Sequence, residues 1–220
     1  MKKNKTVLSR FLGIGLLAML LINTSAVQAQ DEMKTRFGVK VGGNLSNLYV
    51  NNVTDEKAKF GFHAGVFAKA PLSELFAIQP ELLYTSVGSK IGSYTLLQTR
   101  DVNFNLNYIQ LPVLAAVTLS AINIQFGPYV SYLVNANVKN VKVDNNGIPT
   151  STGGVRELNR DDFNTLDYGL AGGIAFDLSG FQIGARYNYG LREVGQGGIA
   201  GALTNNAKNS VAQVYIGIGF

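Results

Sequence analysis

The chain has 220 residues, enough for one all-β domain, and no cysteine, which excludes a disulfide framework and any thiolate metal site. Its formal charge of +5 is no argument for nucleic acid: Lys2, Lys3, Lys5 and Arg10 lie in a leader without acids, and the rest carries 15 basic against 14 acidic side chains. A hydrophobic content of 46% with 25 glycines and 15% charged residues is unusual for a soluble domain and suits a body whose outer face need not be charged.

The leader comes first. The basic stretch MKKNKTVLSR precedes an apolar run from Phe11 to Ile22, and Val27-Gln28-Ala29 puts small residues where a signal peptidase cuts. Residues 1–29 are therefore expected to be a signal peptide and 30–220 the mature domain. About twelve apolar residues are too few for a spanning helix, which takes roughly twenty. No other stretch approaches that length, so a mature chain in a membrane must be a closed sheet, which alone besides a helix satisfies every backbone donor and acceptor in lipid.

Eight strands with period-two alternation follow. The first, Arg36 to Ser46, sets Phe37, Val39, Val41 and Leu45 against Arg36, Gly38, Lys40, Gly42 and Asn44. Beyond a polar loop, Asn47 to Lys57, the second strand, Lys59 to Ala70, sends Phe60, Phe62, Ala64, Val66 and Ala68 one way and His63, Phe67 and Lys69 the other. A turn at Pro71 to Glu74 leads to the third, Leu75 to Ser86, with Phe76, Ile78, Leu82 and Tyr84 outward and Gln79 and Glu81 inward. Val87 to Arg100 reads as a long connection. The fourth strand, Val102 to Leu119, alternates cleanly from Tyr108 onward, but Asn103, Asn105 and Asn107 occupy the outward side upstream. Either the strand rises clear of the membrane there or a bulge flips its register; the first is favoured.

After Ser120-Ala121 the fifth strand, Ile122 to Asn135, places Ile124, Phe126, Val130, Tyr132 and Val134 outward. Ala136 to Asn164 is the longest loop. Strand six, Thr165 to Leu178, puts Asp167, Gly169, Ala171, Gly173, Ala175 and Asp177 inside, and strand seven, Phe181 to Leu191, does so with Gln182, Gly184, Arg186 and Asn188. A Gly/Asn-rich loop, Arg192 to Ser210, precedes the closing strand VAQVYIGIGF. There Ala212, Val214, Ile216, Ile218 and Phe220 share one side. Long connections alternate with short ones throughout, as in outer-membrane barrels with short periplasmic turns and longer outer loops. The chain is expected to be an eight-stranded antiparallel up-and-down transmembrane β-barrel in the cell outer membrane.

Several segments resemble the PorT-like outer-membrane β-barrel family of Gram-negative bacteria: IQPELLYTSVG, NYIQLPVLAAV, FGPYVSYLV, DYGLAGGIAF and ARYNYGL stand in the family's order over about residues 35 to 220. The resemblance implies an outer-membrane barrel, and some relatives are linked to protein secretion. It also places Pro80, Pro112 and Pro128 inside family motifs in mid-strand, which suggests local bulges or unpaired carbonyls.

An eight-stranded barrel is just wide enough for side chains to fill. Lys40, His63, Lys69, Glu81, Gln110, Arg186 and Gln213 face inward by alternation, so a polar plug is expected, with Lys40, His63, Lys69, Glu81 and Arg186 as a structural charge network. A carboxylate at membrane depth needs a cation, and Arg186 or Lys40 is the expected partner of Glu81. Inward glycines at 169, 173, 184, 217 and 219 make room for Tyr108, Tyr215 and Arg186 in the bore, and Tyr84, Tyr132, Tyr168, Tyr187 and Tyr189 are candidates for an interface girdle. His63 is the single histidine; a lipid-modifying enzyme built on it and a narrow channel are the alternatives to a non-enzymatic protein whose outer loops meet an envelope partner or the environment. No ligand cluster implies a metal or cofactor. Expected partners are outer-membrane lipid and the barrel-assembly machinery, the latter through a C-terminal signal comprising Tyr215 and Phe220.

Overall fold

The computed structural model describes residues 34–49, 56–95, 98–139, 142–143, 149–150, 155–157, 163–195 and 207–220. The expected signal peptide lies outside them. Eleven strands are present: β1 (Arg36–Tyr49), β2 (Glu56–Pro71), β3 (Phe76–Thr95), β4 (Gln98–Leu119), β5 (Ile122–Lys139), three short segments β6 (Lys142–Val143), β7 (Pro149–Thr150) and β8 (Val155–Glu157), then β9 (Leu166–Leu178), β10 (Phe181–Glu193) and β11 (Lys208–Gly219). Every long strand pairs antiparallel with its neighbours in chain order, β5 meets β9, and β1 meets β11, so eight strands close a ring. Closure leaves no sheet edge within the wall, which lipid would not tolerate. Phe220 lies just past β11 but completes the seam, exchanging backbone hydrogen bonds with Phe37 at 3.2 and 2.8 Å.

The predicted faces are the observed ones along most of the wall. Val39, Phe60, Phe126, Ile174, Val214 and Phe220 are exposed, while Lys40, His63, Glu81, Gln110, Arg186 and Gln213 are buried. Such a continuous apolar exterior would aggregate in water and is stable against hydrocarbon. Short turns gather the chain at one end. Ser179 and Gly180 both adopt positive φ, 47° and 95°, the combination a two-residue hairpin requires and one that glycine meets without strain.

Two expectations need correction, and two open alternatives are decided. The polar run Val87 to Arg100 is not a loop: β3 and β4 pair continuously from Val87–Leu106 up to Thr95–Gln98, so a hairpin stands where an open connection was predicted. Polar alternation disguised these strands, because a two-stranded hairpin in water needs no apolar face of its own.

For β4 the favoured alternative holds, since no bulge flips its own register. Leu106 and Tyr108 continue the buried side, and the extra residue lies in β5, where Asn107 faces Asn135 but Tyr108 faces Leu133. Similar register shifts fall between Ala58 and His63 and between Tyr189 and Glu193, all toward the loop end, where barrel rims concentrate bulges. Beside the β5 bulge, Tyr132 is buried rather than part of an exposed girdle; Tyr84, Tyr168, Tyr187 and Tyr189 remain on the outer surface.

No bulge accommodates the mid-strand prolines. Pairing of β3 with β4 skips from Pro80–Val113 to Leu83–Gln110, and that of β4 with β5 from Pro112–Tyr129 to Ala115–Phe126, with the same register on both sides. Proline removes a donor without adding a residue, so each ladder is interrupted and then resumes.

Tyr108, expected in the same bore as Tyr215 and Arg186, is buried there at a different level. It belongs to an apolar cluster in the loop-side half of the lumen, with Val87, Leu106, Leu133, Phe163, Val194 and Val211.

Candidate functional site

The lumen is layered along the strands, since each inward residue on one strand stands level with one on the next. At the end carrying the short turns, a vestibule of about 750 Å³ opens between Arg36, Phe67, Lys69, Asp177 and Gln182. Here Lys69 Nζ donates to Asp177 Oδ2 at 2.5 Å and both side chains are partly exposed. Asp177 also accepts from Gln182 at 3.0 Å, so its charge is matched locally.

One layer up, the Glu81 carboxylate accepts four hydrogen bonds. Lys40 Nζ donates to Glu81 Oε1 at 2.5 Å. Arg186 grips the same carboxylate with both terminal nitrogens, Nη1 to Oε2 at 2.7 Å and Nη2 to Oε1 at 2.8 Å. Gln79 Nε2 donates to Oε1 at 2.7 Å. The residues come from β1, β3 and β10, so the cluster ties the wall across the bore. The forked Arg–carboxylate geometry is the strongest form of such a pair, and a buried carboxylate needs this many donors because each lost water is costly.

Around this core, Gln125 Oε1 accepts from Arg186 at 2.9 Å and from Tyr215 Oη at 3.0 Å. The Tyr215 ring lies between the cations, 4.0 Å from Lys40 Nζ and 5.3 Å from the Arg186 guanidinium carbon. Such contacts are worth more in a desolvated lumen than at a surface.

Space for that ring depends on Gly184. A Cβ there would stand 2.5 Å from Tyr215 Cζ and 2.6 Å from its hydroxyl. Gly184→Ala is expected to lower stability by about 1–3 kcal/mol, as overpacking does. Adding Tyr215→Leu should shrink the difference between Gly and Ala at 184; equal penalties in both backgrounds, read from urea unfolding in lipid, would refute this assignment.

Of the five predicted network residues, then, Lys40, Glu81 and Arg186 come together and two stand apart. Lys69 pairs with Asp177 in the vestibule. His63 lies a layer above, where its Nδ1 shares a 2.6 Å hydrogen bond with Asn44 Oδ1. Asn44 in turn donates to Thr85 Oγ1 at 2.9 Å and to the Phe62 and Ser86 carbonyls, and accepts from Gln213 at 3.1 Å. Among the described residues no carboxylate or hydroxyl bonds His63 directly. Alternation separates inward from outward residues but not one luminal level from another, which is why His63 and Lys69 were grouped with the cluster. Gln125 was missed although the same parity on β5 would have found it.

Further toward the loops, Asn209 Nδ2 donates to Asp167 Oδ2 at 3.0 Å and to Tyr108 Oη at 3.4 Å, and Tyr129 Oη donates to the same Asp167 oxygen at 3.4 Å. Above this the apolar cluster closes over. Phe163 and Val194 enter it from the segments between barrel strands, held by the Phe163–Gly195 bridge and by Asn164 bonds to the Val194 and Glu193 backbones. Among the described residues no group of three or more His, Cys, Asp or Glu side chains could hold a metal.

Comparison with known proteins agrees with this architecture. A family model described as outer membrane protein beta-barrel domain matches residues 28–195, leaving β11 beyond its end. Among solved structures, Ail, the attachment invasion locus protein of Yersinia pestis, is 12% identical, with 86% of this chain and 100% of that chain covered and a TM-score of 0.46. Neisserial surface protein A is 14% identical over 84% of this chain and 97% of that one, with a TM-score of 0.49. The N-terminal barrel of Pseudomonas aeruginosa OprF is 12% identical over 85% and 100%, with a TM-score of 0.36. No curated protein matches in sequence.

Proposed function

The chain belongs to the outer membrane protein beta-barrel domain family, and from that premise we propose a non-enzymatic, non-conducting protein whose raised outer strands contact a partner at the cell surface. The observation that carries this reading is strand length. A tilted crossing takes about 9–11 residues. β9, β10 and β11 have 13, 13 and 12, but β3, β4 and β5 have 20, 22 and 18. One side of the wall therefore stands well beyond the bilayer as a paired sheet, with β8 added to β5 through Asn137–Glu157 to Lys139–Val155. A rigid sheet outside the membrane presents a surface at little entropic cost, which is what recognition needs.

Copurification after surface crosslinking should capture an envelope or surface partner through residues 89–104. Deleting that hairpin while keeping the barrel intact should abolish capture; undiminished capture would refute the role. The PorT-like resemblance makes a secretion component the first partner to test for.

The lumen supports the non-conducting part of the reading. The Glu81 cluster and the apolar cluster toward the loops narrow the bore at two separate levels. Planar-bilayer recordings are expected to stay at baseline, and steady conductance would refute a plugged lumen. A lipid-modifying reaction through His63 is disfavoured by its position inside the bore, and an altered lipid mass profile in His63→Ala would reverse that judgement.

Tyr215 and Phe220 are proposed to form the signal read by the assembly machinery. In the closed barrel Tyr215 is buried in the lumen and Phe220 alone is exposed, so recognition of both must precede closure.

A further inference from the structure

We propose that the small cavity in the loop-side half of the lumen binds one sodium ion, with Asp167 supplying the charge and the side-chain amides of Gln110, Asn188 and Gln213 the remaining oxygens. The cavity measures about 10 Å³, room for the centre of one water-sized body, and all four residues line it.

Four observations converge. Asp167 Oδ1, Gln110 Oε1, Asn188 Oδ1 and Gln213 Oε1 are each buried and without a hydrogen-bond partner in the protein, and all four side chains are more than nine-tenths buried. The orientation of the Gln213 amide is set from outside, because its Nε2 donates to Asn44 at 3.1 Å; the oxygen is thereby turned from that bond. Asp167 has no salt-bridge partner among the described residues, in contrast to Glu81 and Asp177. The cations are committed elsewhere: Arg192, whose charge reaches Asp167, donates to Asn164 Oδ1 at 2.9 Å, Lys40 is bound to Glu81, and Arg186 divides its terminal nitrogens between Glu81 and Gln125.

The chemistry then selects the occupant. A water molecule brings two protons and can satisfy two of four acceptors; a proton on Asp167 satisfies one. A cation satisfies all four together. Every candidate donor is a hard oxygen, including the neighbouring Ser131 hydroxyl, and no nitrogen or sulfur ligand is offered. One carboxylate balances one positive charge, which favours a monovalent over a divalent ion, and a set of few oxygens with one of them charged favours sodium over the larger potassium, which takes more ligands.

The test uses the mature chain folded in lipid, with a chelator present to remove divalent ions. The temperature at which the folded band converts to unfolded migration is measured in sodium, potassium and choline chloride at equal ionic strength. A site near hundredfold saturation should raise the midpoint in sodium over choline by at least about 5 °C in a chain of this size. Potassium should fall between them, and Asp167→Asn should erase the sodium advantage. Equal midpoints for the wild-type chain would overturn the proposal, as would a sodium advantage that survives in Asp167→Asn. Should that variant fail to fold, Asn188→Leu, which fills the cavity, takes its place under the same two criteria. Conductance plays no part in this readout, so a failed plug and a failed cation site give different results.

Discussion

Glu81→Gln is expected to lower the stability of the folded barrel by about 3–5 kcal/mol, the range seen when one member of a buried ion pair is removed. The substitution preserves the shape of the side chain but leaves Lys40 and Arg186, held 2.5 and 2.7 Å from the carboxylate, without their anion. Two unmatched cations then face each other across a narrow bore away from water. Removing one of them should help: Lys40→Met in the Glu81→Gln background is expected to recover part of the loss, whereas Lys40→Met alone is expected to destabilise. This reversal of sign separates a charge network from mere packing. Urea unfolding in lipid vesicles is the measurement, and an unchanged midpoint for Glu81→Gln would show that the cluster contributes nothing.

Val214→Arg is the second large effect. Val214 is 63% exposed on the outer face of β11, between Ala185 and Gly43 on its neighbours, with three further outward positions, Ile216, Ile218 and Phe220, toward the turn end. An arginine at the depth of the bilayer midplane destabilises a barrel by about 2–4 kcal/mol, falling to roughly 0–1 near the interfaces. Leu72→Arg, in the turn between β2 and β3, is the control and should have an effect at the small end of that range. If both positions accept arginine equally well in lipid, Val214 does not face hydrocarbon and the inside-out polarity of the wall is wrong.

Most of the wall was legible before any coordinates because alternation is a local property. A residue's parity decides whether it faces lipid or lumen, and a closed sheet has only those two sides. Lys40, Glu81 and Arg186 were placed inward on this basis alone, and the rule that a buried carboxylate needs a cation named both partners that Glu81 has. The same rule passed over Asp167, which was placed inside and then left out of the network, because nothing along the chain says which inward residues lie at the same height.

The failures have one origin. Where the wall leaves the membrane, an apolar face is no longer required, so the outer half of β3 and β4 reads as a loop while its backbone remains paired. Bulges act in the same way: the extra residue in β5 reverses its parity beyond Leu133, so that Leu133 and Ala136 are both buried, while Tyr132, still in register with Ile109 and Leu166, is covered although counting puts it outward. For the prolines the sequence left two alternatives, and the unpaired carbonyl holds over the bulge, since a missing donor interrupts a ladder without shifting it.

By itself, then, the amino-acid order determined that the chain forms an eight-stranded barrel and which side chains line it, because period two and turn spacing are written into neighbouring residues. Only the tertiary structure decided which of those side chains meet. Register and stagger around a closed ring are collective quantities, set by all eight strands together, and they put Lys40, Glu81 and Arg186 on one level, sent His63 and Lys69 to others, and left Asp167 with an oxygen no side chain answers.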